Sequence, residues 1–281
     1  MILIADGGST KVDWIALDNN KKELFRTRTS GLNPAIITRE DIYEIVTNNK
    51  ELIQHKEKIT EIHFYGAGCS TPNLTRNLIT EFQHIFYNAQ VNVREDMIAA
   101  VYAASAGKEA IVCILGTGSN STYFDGETAH ENVASLGYLL MDEASGNYFG
   151  KKLLTDYFYK LMPNDIALDF GKNFNLEPDE IKRNLYQEKT PNKYLGDFAQ
   201  FMFDHTESKY IHEIITEGFE LFFERHILPY NKAASVPIFF IGSIAFYFEN
   251  FLQKIATSKG LKIQGILQRP INNLIKYHQN N

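Results

Sequence analysis

Two glycine-rich turns are the stretches of this sequence whose residue types first suggest chemistry. The first lies in ILIADGGSTKVDWIALD, residues 2–18, where an apolar run ends at an acid, two glycines, two hydroxyls and a lysine. The second lies in IVCILGTGSNSTYFDG, residues 111–126. At an offset of 110 residues, Ile4–Ser9 aligns with Ile114–Ser119. The repeat predicts two units of related plan.

A turn of this composition is able to hold phosphate. Glycine permits positive φ, and its missing Cβ lets a phosphate oxygen approach several backbone N–H groups at once. A carboxylate beside the phosphates, here Asp6, can hold Mg²⁺, usually through water. One DGGS turn alone is more typical of a plain β-hairpin with a solvated acid. The repetition favours the other interpretation, in which both hairpins hold one polyphosphate.

The elements that position the first turn alternate in type. Residues 2–6 have the pattern of a buried strand, and 12–17 and 24–29 predict two further strands. Thr38 with Asp41 is typical of a helix start. The first ~105 residues therefore predict the order strand, strand, strand, helix, strand, helix, strand, helix.

The second turn restarts this pattern. Residues 112–124 predict two strands, and 236–245 predict a strand that ends at Gly242-Ser243. Residues 163–232 predict mainly helix, with polar loops near 163–165 and 189–193. The pattern predicts an α/β fold with a domain boundary near residue 107.

Composition excludes several classes of protein. The chain has 281 residues and a formal charge of −6, which argues against a basic nucleic-acid surface. Its two cysteines, Cys69 and Cys113, lack ligand spacing, so we expect a reducing compartment and no zinc or iron–sulfur site. No apolar run approaches the ~20 residues of a membrane span. The N-terminus lacks the pattern of a signal peptide, so we expect a cytoplasmic protein.

The ordered set of motifs resembles a known superfamily. DGGSTKVDW, CILGTGSNS and FFIGSIA are similar to the phosphate-1, phosphate-2 and adenosine motifs of sugar kinases, Hsp70 and actin. Within that superfamily the chain resembles the N-acetylglucosamine kinase branch of the BadF/BadG/BcrA/BcrD ATPases. The points of resemblance are GLNP (31–34), YGAGC (65–69), Asp96 after a strand, GTGSN (116–120) and LGYLLMDEASG (136–146).

This resemblance implies two ribonuclease H-like, actin-like ATPase domains that face each other across a cleft. The first would span residues 1–107 and the second 108–267, with the last helix, about 268–281, packed back on the first domain. It further implies a homodimer that binds an amino sugar as its substrate. Binding to nucleic acid or to a membrane is not expected.

The resemblance also implies a function and its residues. The chain would use ATP and Mg²⁺ to phosphorylate N-acetylglucosamine or a related amino sugar, with O6 as the expected hydroxyl. Asp96 would be the general base, which accepts the hydroxyl proton as that oxygen attacks the γ-phosphate. Asp6 would hold the metal, and the sugar would be bound by Asn33, Thr117, Gly118 and Asp142. The implied ATP-binding residues are Gly7, Gly8, Ser9, Thr10, Gly116, Thr117, Gly118, Ser119, Asn120, Gly242 and Ser243.

Plainer roles stay open for three of these residues. Asp96 is equally suited to cap a helix over 97–106, Asn33 to form a turn before Pro34, and Asp142 to be a helix N-cap. The family's motif Gly-Asp-Glu-Gly-Ser corresponds to Met-Asp-Glu-Ala-Ser at residues 141–145 of this chain. Met141 and Ala144 therefore replace the two glycines of the motif. These two changes leave the identity of the sugar open.

Two other functions compete with a sugar kinase. One is an ATPase that activates a 2-hydroxyacyl-CoA dehydratase, a role that needs cysteines for a cluster bridging two subunits. The other is a nucleotide-binding sensor or regulatory protein without turnover, for which the Met141 and Ala144 changes are the support.

Overall fold

The computed structural model describes residues 1–69, 71–188 and 190–280. The chain divides into one unit formed by Met1–Ala106 with Pro270–Asn281, and a second formed by Gly107–Arg269. The first unit contains β1 (Ile2–Gly7), β2 (Lys11–Leu17), β3 (Glu23–Ser30), α1 (Arg39–Thr47), α2 (Lys50–Gln54), β4 (Glu61–Gly66), α3 (Pro72–Ile85), β5 (Gln90–Glu95), α4 (Asp96–Ser105) and, from the chain's end, α12 (Ile271–Asn280).

The second unit has the larger number of helices. Its elements are β6 (Ala110–Leu115), β7 (Ser119–Phe124), β8 (Ala129–His130), α5 (Gly146–Phe158), α6 (Asn164–Asn173), α7 (Pro178–Tyr186), α8 (Pro191–Phe198), a 3₁₀ segment (Ala199–Asp204), α9 (Lys209–Phe222), a π-helical segment (Phe223–Ile227), β9 (Ile238–Ile241), α10 (Ser243–Tyr247), α11 (Glu249–Ser258) and β10 (Ile263–Leu267). None of the helices in the described ranges has the length and apolar character needed to cross a bilayer.

The two units contain sheets of the same topology. The strand order is β3-β2-β1-β4-β5 in the first unit and β8-β7-β6-β9-β10 in the second. In each, the strands of the glycine-rich hairpin pair antiparallel, and the hairpin's first strand also pairs with a parallel strand from later in the chain. The predicted α/β repeat is therefore confirmed at the level of strand order.

The alignment of the two hairpins at an offset of 110 residues is wrong in detail. Gly7 pairs with Val12, so four residues (8–11) lie between these partners, whereas Leu115 pairs with Ser119 and only 116–118 lie between them. Ser119 is thus already in a strand, while Ser9 lies in a turn. The second hairpin has one residue fewer between its last paired partners, a difference that a gapless alignment does not detect.

The predicted order of elements in the first unit is confirmed, with the short helix α2 added. Two predicted loops are wrong, because residues 164–165 begin α6 and 191–193 begin α8. Pro163 precedes the first of these helices and Pro191 opens the second, so each proline marks a helix start. Residue 189, within the second predicted loop, lies outside the described residues.

Each unit has its own apolar core. In the first unit Trp14 of β2 packs on Phe64 of β4 and Phe82 of α3, with ring centroids 5.9 and 5.8 Å away. In the second unit the fully buried Phe149 of α5 contacts the rings of Phe219 and Phe248. The sheets are thereby covered by helices, which fixes the ends of the strands where the candidate site residues lie.

Helix α12 packs against α4, the helix that begins with Asp96. Tyr277 stacks on Tyr102 with ring centroids 4.1 Å apart. The Asn273 Nδ2 group donates to the Ala103 carbonyl at 3.1 Å, which satisfies a carbonyl in the last turn of α4. The end of the chain therefore stabilises the helix that carries Asp96.

We expect His278 of α12 to make the protein less stable in acid. Burial lowers its pKa from 6.5 to about 4, helped by the charges of His63, Arg94 and Lys21. Below pH 6.5 the His278 imidazole is protonated in the unfolded chain but stays neutral in the folded state. The free energy of unfolding therefore falls as the pH drops towards 4. His278→Gln should remove a loss of about 2 kcal/mol between pH 7 and 4, a figure reduced to allow for the partial solvent exposure of the ring.

Urea unfolding at several pH values measures this effect, with His84→Gln at an exposed histidine of α3 as the control. Parallel stability curves for wild type and His278→Gln would contradict the prediction.

Candidate active site

The parallel strands of the first unit bring its candidate residues to one edge of the sheet. Gly7 of β1 is in register with Gly66 of β4, and Gly66 with Glu95 of β5. Asp6 therefore lies one residue before this edge, and Asp96 directly beyond it. Two carboxylates more than 80 residues apart in the sequence are brought to the same end of the sheet.

The charge of Asp96 acts on the buried Asp6 carboxylate. Burial, together with the negative charges of Asp96 and Asp13, raises the pKa of Asp6 to about 7 against the opposing charge of Lys11. Burial, followed by the charge of Asp96, also raises the pKa of Cys69 to about 12. A cation at Asp6 and Asp96 would relieve this concentration of negative charge.

The first hairpin carries a buried hydroxyl that lacks a partner. The Gly8 N–H group donates to the Lys11 carbonyl at 2.8 Å and closes the turn. The Thr10 Oγ1 atom is buried and makes no hydrogen bond within the described residues. Because buried polar atoms are normally paired, a hydroxyl of this kind is suited to a ligand.

The segments GLNP and YGAGC meet this hairpin through Asn33. The Asn33 Nδ2 group donates to Ser9 Oγ at 2.9 Å, while its Oδ1 atom accepts from the Ala35 N–H group at 3.0 Å. A Cβ atom on Gly31 would lie 2.2 Å from the Ser9 carbonyl oxygen, and one on Gly68 would lie 1.9 Å from Asn33 Oδ1. Glycine is required at both positions because the neighbouring atoms leave no space for a Cβ. Asn33 is a turn residue whose side chain also contacts Ser9.

In the second unit, two backbone hydrogen bonds join the hairpin to the start of α5. The Gly146 N–H group donates to the Gly116 carbonyl at 2.8 Å, and the Asn147 N–H group to the Thr117 carbonyl at 3.0 Å. Ser119 begins β7, and its Oγ atom is buried with no hydrogen-bond partner in the described part of the chain. Each hairpin therefore contributes one unpartnered hydroxyl.

Asp142 lies against this second hairpin. Its Oδ2 atom accepts from Asn147 Nδ2 at 2.8 Å, and its carboxylate accepts from the Ser119 N–H group. The same Oδ2 atom is 2.9 Å from where a Cβ on Gly118 would stand. Burial raises the pKa of Asp142, although the two donors oppose this effect. The structure thus brings Asp142 together with residues 116–119.

Two of the plainer roles are wrong. The N-cap of α5 is Ser145, whose hydroxyl accepts from the Tyr148 N–H group at 3.2 Å, so Asp142 is not that cap. The N-cap of α4 is Glu95, and Asp96 is the first residue of the helix. At that position a carboxylate interacts favourably with the helix dipole without being the capping residue.

The predicted adenosine loop lies beside the second hairpin. Gly242 has φ 123°, and a Cβ on it would lie 2.1 Å from the Leu115 carbonyl oxygen, so only glycine fits. Ser243 is exposed at the start of α10. Asn120, in β7, uses its Oδ1 atom to accept from the Ser121 N–H group at 2.8 Å.

Sequence reasoning missed two groups of residues at this site. Asn147, which holds Asp142, lies just beyond the LGYLLMDEASG motif. Asn147 follows Asp142 by five residues, a spacing that could have indicated a contact between the two side chains at the start of α5. Arg225 and His226 pair with Glu143, and their distance in sequence gives no local signal.

The donor set suits Mg²⁺ better than a zinc-type cage. The described residues contain no group of three or more histidine, cysteine or acidic side chains placed to hold a metal ion. Mg²⁺ commonly uses one or two carboxylates together with water and phosphate oxygens. Asp6, with Asp96 near it, fits that pattern.

Comparison with known proteins agrees with this organisation. The sequence matches no family model, and no curated protein matches it. A structure from Porphyromonas gingivalis, provisionally named an N-acetylglucosamine kinase, is 35% identical, with a TM-score of 0.92 over 100% of this chain and 99% of that one.

More distant structures share the fold. A provisionally named N-acetylglucosamine kinase from Chromobacterium violaceum is 13% identical, with a TM-score of 0.75 over 98% of each chain. A ROK family glucokinase from Streptomyces griseus, bound to glucose and AMPPNP, is 14% identical, with a TM-score of 0.62 over 98% of this chain and 97% of that one. The predicted α/β fold of sugar kinases and actin-like ATPases is confirmed, and the chain belongs to the family of N-acetylglucosamine kinase-like proteins that the P. gingivalis structure represents.

Proposed function

We propose that this protein is an ATP-dependent amino-sugar kinase of the BadF/BadG type, with N-acetylglucosamine as the first candidate substrate and O6 as the acceptor. The observation that carries the proposal is the pair of buried, unpartnered hydroxyls, Thr10 Oγ1 and Ser119 Oγ, one at each glycine-rich hairpin. Phosphate oxygens supply the acceptors that these groups lack. The family relation and the nucleotide in the S. griseus glucokinase support ATP as the source.

Each unit has a separate task in this proposal. In the first unit, residues 7–10 bind phosphate, Asp6 holds Mg²⁺, and Asp96 accepts the proton of the sugar hydroxyl. Mg²⁺, when bound, neutralises charge on the phosphates. Because phosphoryl transfer passes through a loose transition state, positioning and charge neutralisation carry most of the rate.

In the second unit, residues 116–120 bind phosphate, and Gly242 with Ser243 lie under the adenosine. Asp142 accepts a hydrogen bond from a sugar hydroxyl, and Asn33 of the first unit offers its amide to another. Asn147 and the Ser119 N–H group keep the Asp142 carboxylate in place.

The chemistry of the cysteines disfavours an activator of a 2-hydroxyacyl-CoA dehydratase. Both thiols are buried, and burial raises the pKa of each, to about 12 for Cys69. Cluster ligands are thiolates, which these surroundings oppose.

The Met141 and Ala144 changes give little support to a protein without turnover. Ala144 adopts φ 58°, where glycine is favoured, yet its methyl group is fully buried in the core of the second unit. Asp142, two residues before Ala144 and next to Met141, accepts hydrogen bonds from Asn147 Nδ2 and the Ser119 N–H group.

An ADP-release assay against a panel of amino sugars and neutral hexoses tests the proposed function. We expect ADP release that depends on an amino sugar and on Mg²⁺. ADP release that ignores the sugar would favour the ATPase activator, and ATP binding without turnover would favour the regulatory protein.

Gly116→Val should weaken ATP binding by about tenfold or more without destabilising the protein. A Cβ on Gly116 meets no atom within 4 Å, so the added side chain begins in the open space where phosphate is proposed to bind. Calorimetry with Mg-ATP measures the affinity, and Gly171→Ala in α6 is the control. Unchanged affinity would remove the second hairpin from the phosphate site.

A further inference from the structure

The backbone around Asp142 is held in an unusual conformation. Asp142 has φ 71° and Ala144 has φ 58°, so two residues with a Cβ atom adopt the left-handed region on either side of Glu143. Each such residue costs roughly 1 kcal/mol or more, and it persists only where surrounding contacts impose it. The segment therefore needs an anchor.

Glu143 is the side chain placed to be that anchor. It is 6% exposed, and its two carboxylate oxygens have separate partners. Arg225 Nη1 contacts Oε1 as a short ion pair, and His226 Nε2 lies 3.1 Å from Oε2. Burial raises the pKa of Glu143, but hydrogen bonds from His226 and Arg225 outweigh it and leave the pKa lowered. The carboxylate is therefore ionised at neutral pH.

Both partners come from the π-helical segment Phe223–Ile227. The π-helical winding is uncommon and often occurs at functional sites. Arg225 and His226 are consecutive here, and both reach the same carboxylate. A regular α-helix would direct neighbouring side chains about 100° apart.

The π-helical segment is itself fixed to the second hairpin. The His226 carbonyl accepts from Ser121 Oγ at 2.8 Å, and Ser121 lies in β7 two residues after Ser119. The Ser119 N–H group in turn donates to Asp142. Hydrogen bonds and short stretches of chain thus form a closed ring from Ser119 through Asp142, Glu143, His226 and Ser121.

We propose that Glu143, held by Arg225 and His226, is a positioning residue that fixes the Asp142 carboxylate against the second hairpin for sugar binding. The role assigned to Asp142 rests on the proposed function. Loss of the Glu143 charge would leave Arg225 unpaired and free the left-handed segment to relax, which would move Asp142 away from Gly118 and Ser119.

Glu143→Gln tests this role because it keeps the shape and removes the charge. We expect the sugar KM and Kd to rise about 10–100-fold, since small displacements of a binding group carry costs of that order. The ATP Kd should stay within about twofold of wild type, because its proposed ligands in the hairpins are retained. Arg225→Lys, which keeps a charge, should show a smaller rise than Arg225→Gln.

The matched control is Asp156→Asn. Asp156 is also a buried carboxylate of the second unit, paired with Lys152 Nζ at 2.7 Å and Tyr210 Oη at 2.8 Å, but it lies far along α5 from Asp142. It should lower Tm and leave the sugar KM unchanged. If Glu143→Gln fails to fold, Arg225→Gln replaces it, since the Arg225 side chain is 58% exposed.

Hydrogen exchange of the peptide covering residues 141–147 gives a readout independent of catalysis. Faster exchange of this peptide in Glu143→Gln, but not in Asp156→Asn, supports the role of Glu143 as an anchor. This holds even if the wild-type protein phosphorylates no sugar, because that outcome would contradict only the proposed function. Wild-type exchange in this peptide together with an unchanged sugar Kd would overturn the inference. Faster exchange with an unchanged sugar Kd, in a wild type that binds sugar, would also overturn it.

Discussion

Asp96→Asn should lower kcat by about 10²–10⁴-fold, the usual contribution of a general base. Asparagine keeps the shape of the side chain but cannot accept the proton of the sugar hydroxyl. Because the Asp96 charge raises the pKa of Asp6, its removal also relieves repulsion in the folded state, and Tm should stay level or rise slightly. A rise in sugar KM is expected as well, because in the proposed mechanism the same carboxylate contacts the hydroxyl.

Steady-state kinetics and thermal unfolding on the same preparation decide this prediction. Glu95→Gln is the matched control, since Glu95 is the adjacent acid and the N-cap of α4 without a side-chain capping bond. It should retain most of the wild-type kcat. If Asp96→Asn keeps more than about a tenth of the wild-type kcat, Asp96 is not the base.

Asp6→Asn should abolish Mg²⁺-dependent binding of ATP and make the protein more stable. At pH 8 the Asp6 carboxylate is ionised, since this pH lies above its pKa of about 7, and its charge is opposed by burial, Asp96 and Asp13. Removing that charge should raise Tm by roughly 2–6 °C in the absence of metal. The Kd for ATP with Mg²⁺ should rise by about tenfold or more.

Asp13→Asn distinguishes metal binding from a general change of charge. Asp13 lies on β2 and pairs with Arg28 at 2.6 Å. Its replacement relieves some repulsion on Asp6 but also breaks this ion pair, so Tm should change less than in Asp6→Asn. It should also leave Mg²⁺-dependent ATP binding intact. ATP affinity in Asp6→Asn that still responds to Mg²⁺ as in wild type would show that the metal is held elsewhere.

Much of the fold could be predicted because local patterns determine it. The apolar run before Asp6 and the alternation that follows it specify a hairpin, and the same pattern after residue 110 predicted the second. The errors arose where one residue changes the geometry. The second hairpin has one residue fewer between its last paired partners, which shifted the alignment of Ser9 with Ser119. Helices begin after Pro163 and at Pro191, where polar loops were expected.

The candidate site was less accessible to sequence reasoning. Asp6 and Asp96 each follow a strand pattern, so parallel pairing of those strands predicts their common edge. Glu143 instead pairs with Arg225, 82 residues later, in a π-helical segment that no periodicity reveals. The Ala144 change was considered as support for a protein without turnover, but the methyl group is buried in the core of its unit.

The most direct measurement is ³¹P and ¹H NMR of the products formed from N-acetylglucosamine, ATP and Mg²⁺. The proposed function predicts ADP and a sugar phosphomonoester in equal amounts, with the phosphorus coupled to the two protons on C6. Inorganic phosphate with ADP and no phosphorylated sugar, for this or any other amino sugar of the panel, would contradict it.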